Sequence, residues 1–110
     1  MQRRNFSHSS RESLPRVFKA VRIARGLSQE DFYDVSGRTY ISSIERGVKH
    51  PTPAKLDELA RTLDIHPLTL LTLSYLESSV NQTGLSALLE HVRVQVEQLN
   101  LPELTKKTQV

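Results

Sequence analysis

The sequence predicts an all-α fold, and three features of its 110 residues lead to that prediction. Apolar residues recur at spacings of three and four, which is the periodicity of helices that pack through one face. Serine, threonine or proline stands before several of these segments and glycine follows two of them, as is typical of helix caps. The alternation typical of strands is almost absent. Together these features predict six helices.

The first helix is expected to follow a polar segment. Residues 1–13 lack periodicity and contain three arginines, which predicts a flexible basic arm that either extends a binding surface or has no role. Helix one then runs from about Pro15 to the stop at Gly26, with an apolar face formed by Val17, Phe18, Val21 and Ala24. Ser28 is the expected N-cap of a short second helix that reaches about Val35.

A third helix is predicted from about Arg38 to Glu45, and its two sides differ in character. Ile41 and Ile44 lie three residues apart and are expected to face inward. The outer side then carries Arg38, Thr39 and Ser43, three side chains able to hydrogen-bond the edges of bases. Two short helices joined by a tight turn have the dimensions of a helix-turn-helix. The alternative is an ordinary solvated surface.

Two more helices complete the predicted domain. The fourth begins with Thr52 as N-cap and Pro53 as its first residue, and its buried face comprises Leu56, Leu59, Ala60 and Leu63. The fifth begins at Pro67 and continues to about Glu77. Residues 14–77 are therefore expected to form one domain, and the polar residues 78–84 to form a linker.

A sixth helix is predicted within residues 85–101, followed by a tail over residues 102–110. Its apolar residues recur at spacings of four and three, which is a heptad seam of two repeats; they are Leu85, Leu89, Val92, Val96 and Leu99. We interpret the seam as a homodimer contact across a two-fold axis. The alternative is that the helix folds back onto its own domain.

The charge distribution favours a polyanionic partner. The net charge is +3, but residues 1–50 hold ten Lys or Arg against five Asp or Glu, whereas residues 51–110 hold five against seven. One positively charged half is typical of nucleic-acid binding, although charge also segregates by chance.

Composition argues against other classes of function. Cysteine is absent and the histidines are scattered, so neither a disulfide nor a metal site is predicted, and no cofactor is expected. No catalytic motif or glycine-rich phosphate loop occurs, so we expect a protein that is not an enzyme. There is no apolar run of membrane-spanning length and no secretory signal, which predicts a cytoplasmic location.

Several motifs in order carry a resemblance to a known family. The segments "VRIARGLSQEDF" and "YISSIERGVKHPTPAKLDELARTLDIHPLTLL" are similar to the Cro/phage-repressor-like (XRE) helix-turn-helix family. The resemblance covers about residues 14–73, some 60 of the 110. It implies a five-helix DNA-binding domain, here with one extra C-terminal helix, and double-stranded DNA as the partner.

The resemblance also implies roles for individual residues. Arg38, Thr39 and Ser43 correspond to base-reading positions of the recognition helix. Arg22 and Glu45 correspond to a structural ion pair, which the helix dipole also favours because a carboxylate at a helix C-terminus needs a cation. Backbone phosphates are expected to contact Gln29, Tyr40, Ser42, Arg46 and Lys49. For Tyr40 two interpretations stay open: a hydroxyl that reaches phosphate, or a ring that packs against the turn.

The sequence departs from the family in one segment. Gln29 and Glu45 are 16 residues apart, about two fewer than is usual for the family, and Tyr33 stands where a small alanine is common. We therefore expect a shortened helix two or a tighter turn, with Ser36 or Gly37 as the N-cap of helix three. The register of the residues that follow is left open by one position.

These observations predict a sequence-specific transcriptional regulator, a homodimeric repressor on a two-fold operator. Two alternatives share the domain: an antitoxin and a restriction-modification control protein, either with a further protein partner. A third is an interaction adaptor that has lost DNA binding.

Overall fold

The computed structural model describes residues 7–76 and 81–105, and within those ranges it contains helices and no strand, which confirms the all-α prediction. In chain order the elements are α1 (Ser7–Ala24), a 3₁₀ helix η1 (Gln29–Phe32), α2 (Tyr40–Glu45), α3 (Pro53–Leu63), α4 (Pro67–Leu76), α5 (Gln82–Leu99) and α6 (Pro102–Thr105). The chain divides into two units, residues 1–78 and residues 79–110, which are described separately.

Helix α1 begins earlier than the sequence pattern predicts. It starts at Ser7, so the prediction of a flexible arm is wrong for residues 7–13; residues 1–6 lie outside the described part of the chain. Ser13 is buried, and its hydroxyl donates a hydrogen bond to the carbonyl of Ser74 in α4. A polar residue can be buried once it is hydrogen-bonded, and a search for apolar periodicity overlooks it.

The core of the first unit is apolar and draws on all five of its helical elements. The fully buried side chains include Phe18, Phe32, Ile41, Ile44, Leu59, Leu63 and Leu70. The rings of Phe18 in α1 and Phe32 in η1 lie 5.4 Å apart at 57°, a tilted arrangement that aromatic pairs favour. Helix α1 packs most extensively against α4 and also contacts α2. The short elements η1 and α2 are therefore held on a larger helical base.

Helices α3 and α4 begin as the sequence predicts. Thr52 caps α3, since its Oγ1 accepts the backbone N–H of Lys55 at 3.2 Å, and Pro53 is the first residue of the helix. The helix ends at Leu63 because Asp64 adopts a left-handed conformation with φ of 60°. His66 Nδ1 accepts the N–H of Leu68 at 3.0 Å, so this histidine caps α4.

Replacement of the α3 cap gives a first test of the fold. Thr52→Ala is expected to lower the free energy of unfolding by about 1 kcal/mol, because the N–H of Lys55 loses its acceptor. Thr52→Ser keeps a hydroxyl at the cap and is the matched control. Urea denaturation of the three proteins measures the difference. Equal stability of the alanine variant and the wild type would show that the cap contributes nothing.

The second unit is dominated by α5, which starts before the predicted boundary. Asn81 Oδ1 accepts the N–H of Gly84 at 2.8 Å, so a cap and a first helical turn replace the end of the predicted linker; residues 77–80 lie outside the described part. The polar composition that suggested a linker thus includes a helix start. The helix ends at Leu99, before the left-handed Asn100, and α6 adds one turn within the predicted tail.

Candidate nucleic-acid interface

The helix-turn-helix segment is built from unusually short pieces. The 3₁₀ helix η1 has four residues and α2 has six, so both of the predicted helices are shorter than expected. Ser28 caps η1, and its N–H donates to the carboxylate of Asp31 at 2.7 Å. The expected shortening of helix two is therefore present, and the recognition helix is shortened as well.

The predicted N-cap of the recognition helix is wrong. Thr39, rather than Ser36 or Gly37, stands at the N-cap position of α2. The hydroxyl and the backbone N–H of Ser36 both donate to the carbonyl of Phe32, each at 3.0 Å, so this serine closes the turn after η1. Arg38 consequently precedes α2 and belongs to the turn.

Helix α2 is held by its apolar side. Ile41 and Ile44 are at most 1% exposed, as their spacing predicts, and they pack in the core with residues of α1 and α3. An interior packed this closely fixes the position of the helix to within small shifts. The orientation of the opposite side of α2 is therefore set by the core.

The Arg22–Glu45 pair that the sequence predicts is present and forms a fork. Nε of Arg22 donates to Oε2 of Glu45 at 2.6 Å, and Nη2 donates to Oε1 at 3.1 Å. Only 10% and 6% of the two side chains are exposed, so the pair is largely removed from water. Nη1 of Arg22 also donates to the carbonyl of Leu27 at 2.9 Å, which ties α1 to the loop before η1.

Gln29 joins this network at the start of η1. Its side-chain amide donates to Oε1 of Glu45 at 3.1 Å, and the residue is half-buried. Glu45 thus receives donors from α1 and from η1 and locks both to the end of α2. The expected phosphate contact of Gln29 would use the second hydrogen of the same amide group.

The polar and cationic residues of α2 and of the turns at its two ends are largely accessible. Arg38, Thr39, Arg46 and Lys49 are exposed, and Ser42 is half-buried. Nε of Arg46 donates to Oγ of Ser42 at 3.1 Å, so the guanidinium lies along the helix rather than away from it. We call this set, Arg38, Thr39, Ser42, Arg46 and Lys49, the recognition flank.

The prediction that Ser43 lies on the outer side is wrong. Ser43 is only 7% exposed. The backbone N–H groups of Val48 and Lys49 donate to its carbonyl at 2.8 and 3.2 Å, which closes the C-terminal end of the helix. A buried serine cannot reach a base edge, and Ser43 is therefore not part of the recognition flank.

Tyr40 occupies the first position of α2 and is half-buried against the core. The ammonium groups of Lys49 and Lys55 lie 5.7 and 5.4 Å from its ring centroid. Burial raises the pKa of the Tyr40 hydroxyl above its usual value, while the positive charge of Lys55 acts in the opposite direction. The packing role left open by the sequence is thus present, and the hydroxyl stays protonated at neutral pH.

One cationic residue near the flank was missed by the sequence analysis. Arg22 and Pro15 mark the side of α1 that faces the end of α2. Arg22 pairs with Glu45, and Cγ of Pro15 would lie 3.7 Å from a methyl group added at Gly47. Lys19 is four residues after Pro15 and three before Arg22, so it lies on the same side of the helix, and it is exposed. This spacing was available in the sequence and identifies Lys19 as a further phosphate-binding candidate.

Among the described residues, the structure offers neither a metal-binding cluster nor a membrane-spanning helix. Across the described ranges, no group of three or more His, Asp or Glu side chains is arranged to hold a metal ion. None of the helices described is both long and apolar enough to cross a lipid bilayer.

A short helix fixed by its apolar side, with a cationic flank facing solvent, defines a helix-turn-helix protein of the class that binds DNA and regulates transcription. Comparison with known proteins agrees: residues 18–70 match the profile of the family described as "Helix-turn-helix". The chain is 40% identical over 57 residues to "Uncharacterized HTH-type transcriptional regulator y4dJ" of Sinorhizobium fredii, covering half of this chain and 74% of that protein. The chain belongs to this helix-turn-helix family, as its resemblance predicts. No solved structure gives a significant match.

Proposed function

We propose that the protein is a sequence-specific transcriptional regulator, a homodimeric repressor that places α2 of each copy in the major groove of a two-fold operator. The observation that carries this proposal is the recognition flank itself. Its side chains are accessible, whereas the buried isoleucines and the Arg22–Glu45 pair fix the helix behind them. A rigid element that presents donors to base edges is what direct readout requires.

The proposed roles divide the flank into base and phosphate contacts. Arg38, in the turn before α2, and Thr39, at its N-cap position, are the proposed base contacts, since arginine forks onto guanine and threonine contacts thymine methyl groups. Arg46 and Lys49 follow the helix and suit backbone phosphates, as do Ser42 and the remaining amide hydrogen of Gln29. Lys19 of α1 adds one more cation on the side where α1 meets α2.

The proposed dimer rests on α5. Its seam is accessible in the single chain: Leu89, Val92, Val96 and Leu99 are 47–65% exposed, and Leu85 is half-buried. A contiguous apolar stripe of this kind is typical of an interface. A symmetric dimer would present two copies of α2 to half-sites about one helical turn, roughly 34–36 Å, apart. Repression follows if the occupied operator overlaps a promoter.

Replacement of Arg38 tests the base-reading role. Arg38→Ala is expected to reduce discrimination between operator and random DNA by about 1–3 kcal/mol, because one base-edge contact is lost. The operator is first obtained by selection of bound sequences from a random DNA pool, and the ratio of affinities is then measured by gel shift. Arg61→Ala is the matched control, since Arg61 is an exposed arginine of α3, outside the recognition flank. Full specificity of the Arg38 variant would contradict the assignment.

The short helix-turn-helix segment favours one rival, an interaction adaptor that keeps the fold without binding DNA. A salt series separates the two functions, because neutralised phosphates give a steep dependence of affinity on salt concentration. An adaptor would show no such slope and no preferred sequence in the selected pool.

A further inference from the structure

Two tyrosines lie beneath two cations of the recognition flank. The guanidinium carbon of Arg38 is 5.8 Å from the ring centroid of Tyr33, and the ammonium nitrogen of Lys49 is 5.7 Å from that of Tyr40. Both distances are within the range of cation–π attraction, about 6 Å. Both rings are half-buried, whereas both cations belong to exposed residues.

The two cations lie outside α2, where no helix restricts them. Arg38 is in the turn before the helix and Lys49 in the loop after it, because α2 extends only from Tyr40 to Glu45. A long side chain on irregular backbone loses much rotamer freedom when it binds DNA. A ring that already holds the cation in place reduces that loss, which is the general effect of preorganisation.

The backbone of Tyr33 and the ring of Tyr40 are both held by the fold. Tyr33 follows the fully buried Phe32, and its N–H donates to the carbonyl of Glu30 at 3.0 Å. Tyr40 packs against the core and also faces Lys55. The ammonium of Lys55 donates at 2.8 Å both to the carbonyl of Val35 and to the carboxylate of Glu58, so its charge serves the fold. Lys49 is the exposed cation at this ring.

We propose that Tyr33 and Tyr40 are positioning residues, whose ring faces hold Arg38 and Lys49 in the geometry that DNA requires. The inference rests on the proposed DNA-binding function and deepens it. It accounts for Tyr33 at a position where the family commonly has a small alanine. The segment from Gln29 to Glu45 is about two residues shorter than is usual, and the ring of Tyr33 supports Arg38, which a longer helix would have included. It also assigns Tyr40 to the ring role rather than to a hydroxyl contact.

The test compares phenylalanine, which keeps the ring, with leucine, which removes it. Tyr33→Phe and Tyr40→Phe are expected to bind like the wild type. Tyr33→Leu is expected to lower the operator-to-random affinity ratio by roughly two- to fivefold, the size of an exposed cation–π contact. Tyr40→Leu should lower overall affinity by a similar factor, whereas Lys49→Ala, which removes the phosphate contact itself, should also reduce the salt slope by about one. Gel shifts with the full chain at several salt concentrations provide both readouts.

A second measurement does not depend on how the leucine variants fold. In the free wild-type protein, the ring currents should shift the NMR signals of the Arg38 and Lys49 side-chain methylenes upfield, and both phenylalanine variants should preserve the shifts. Unshifted signals would overturn the proposal. Leucine variants that bind like the wild type would overturn it too, as would phenylalanine variants that lose as much affinity as leucine. A wild type without preferred sequences or salt dependence would instead refute the proposed function.

Discussion

Glu45→Ala is expected to lower the free energy of unfolding by about 3–5 kcal/mol, a large share of the stability of a small domain. The change leaves the guanidinium of Arg22, with its side chain only 10% exposed, without the two carboxylate contacts at 2.6 and 3.1 Å. The carbonyl of Leu27 is then the remaining acceptor of this charge among the contacts described above. Gln29 also loses its partner, so the end of α2 loses its side-chain hydrogen bonds to both α1 and η1.

Urea denaturation measures the effect, and α5 offers a matched control. Glu90→Ala removes a carboxylate that also pairs with an arginine, Arg93, but there both side chains are more than half exposed. Ion pairs in water contribute about 0–1 kcal/mol, so little change is expected for the control. A loss below about 1 kcal/mol for Glu45→Ala would show that its partly buried pair is no stronger than a surface pair.

A double replacement separates the charge from the geometry. Arg22→Met combined with Glu45→Leu removes both charges and is expected to recover much of the lost stability, because no stranded charge remains. If the double variant is as unstable as Glu45→Ala alone, the cost comes from packing and not from a buried guanidinium.

Much of the fold was predictable because local chemistry and tertiary structure agree. Thr52 followed by Pro53 specifies a helix start whatever surrounds it, and the cap is present. Ile41 and Ile44 share one side of any helix that contains them, and both are buried. The Arg22–Glu45 pair was predicted from the family resemblance, which implies Arg22 as the partner, and the helix dipole agrees because a cation stabilises a carboxylate at a helix C-terminus.

The parts that were not predictable depend on contacts distant in sequence or on competing hydrogen bonds. Ser36 has the composition of an N-cap, but its hydroxyl bonds backward to Phe32 instead of forward. Ser43 lies opposite Ile41 on a helical projection, yet it is buried as well. Ser13 is buried only because α4 supplies a carbonyl acceptor from 61 residues away. Periodicity along one helix carries no information about any of these partners.

Replacement of residues in the α5 seam is expected to change operator affinity strongly, because the seam links dimerisation to DNA binding. Val92→Asp together with Val96→Asp is expected to convert the proposed dimer into a monomer, since four charges would meet across the two-fold axis in a desolvated interface. Operator affinity should then fall by about 10²–10⁴-fold, the usual gain from linking two binding events. Analytical ultracentrifugation measures the assembly, and gel shift measures the affinity.

Gln98→Asp is the matched control for these aspartates, because it places the same charge on α5 at an exposed position away from the seam. It should leave both the dimer and the operator affinity unchanged. A double variant that remains dimeric would move the interface elsewhere. If the wild type is monomeric at concentrations where it binds its operator, α5 does not contribute to operator binding. If α5 instead folds back onto its own domain, the aspartates would lower the free energy of unfolding instead of the affinity. Denaturation of the same variants distinguishes these outcomes, since an interface mutation in a folded monomer leaves its stability intact.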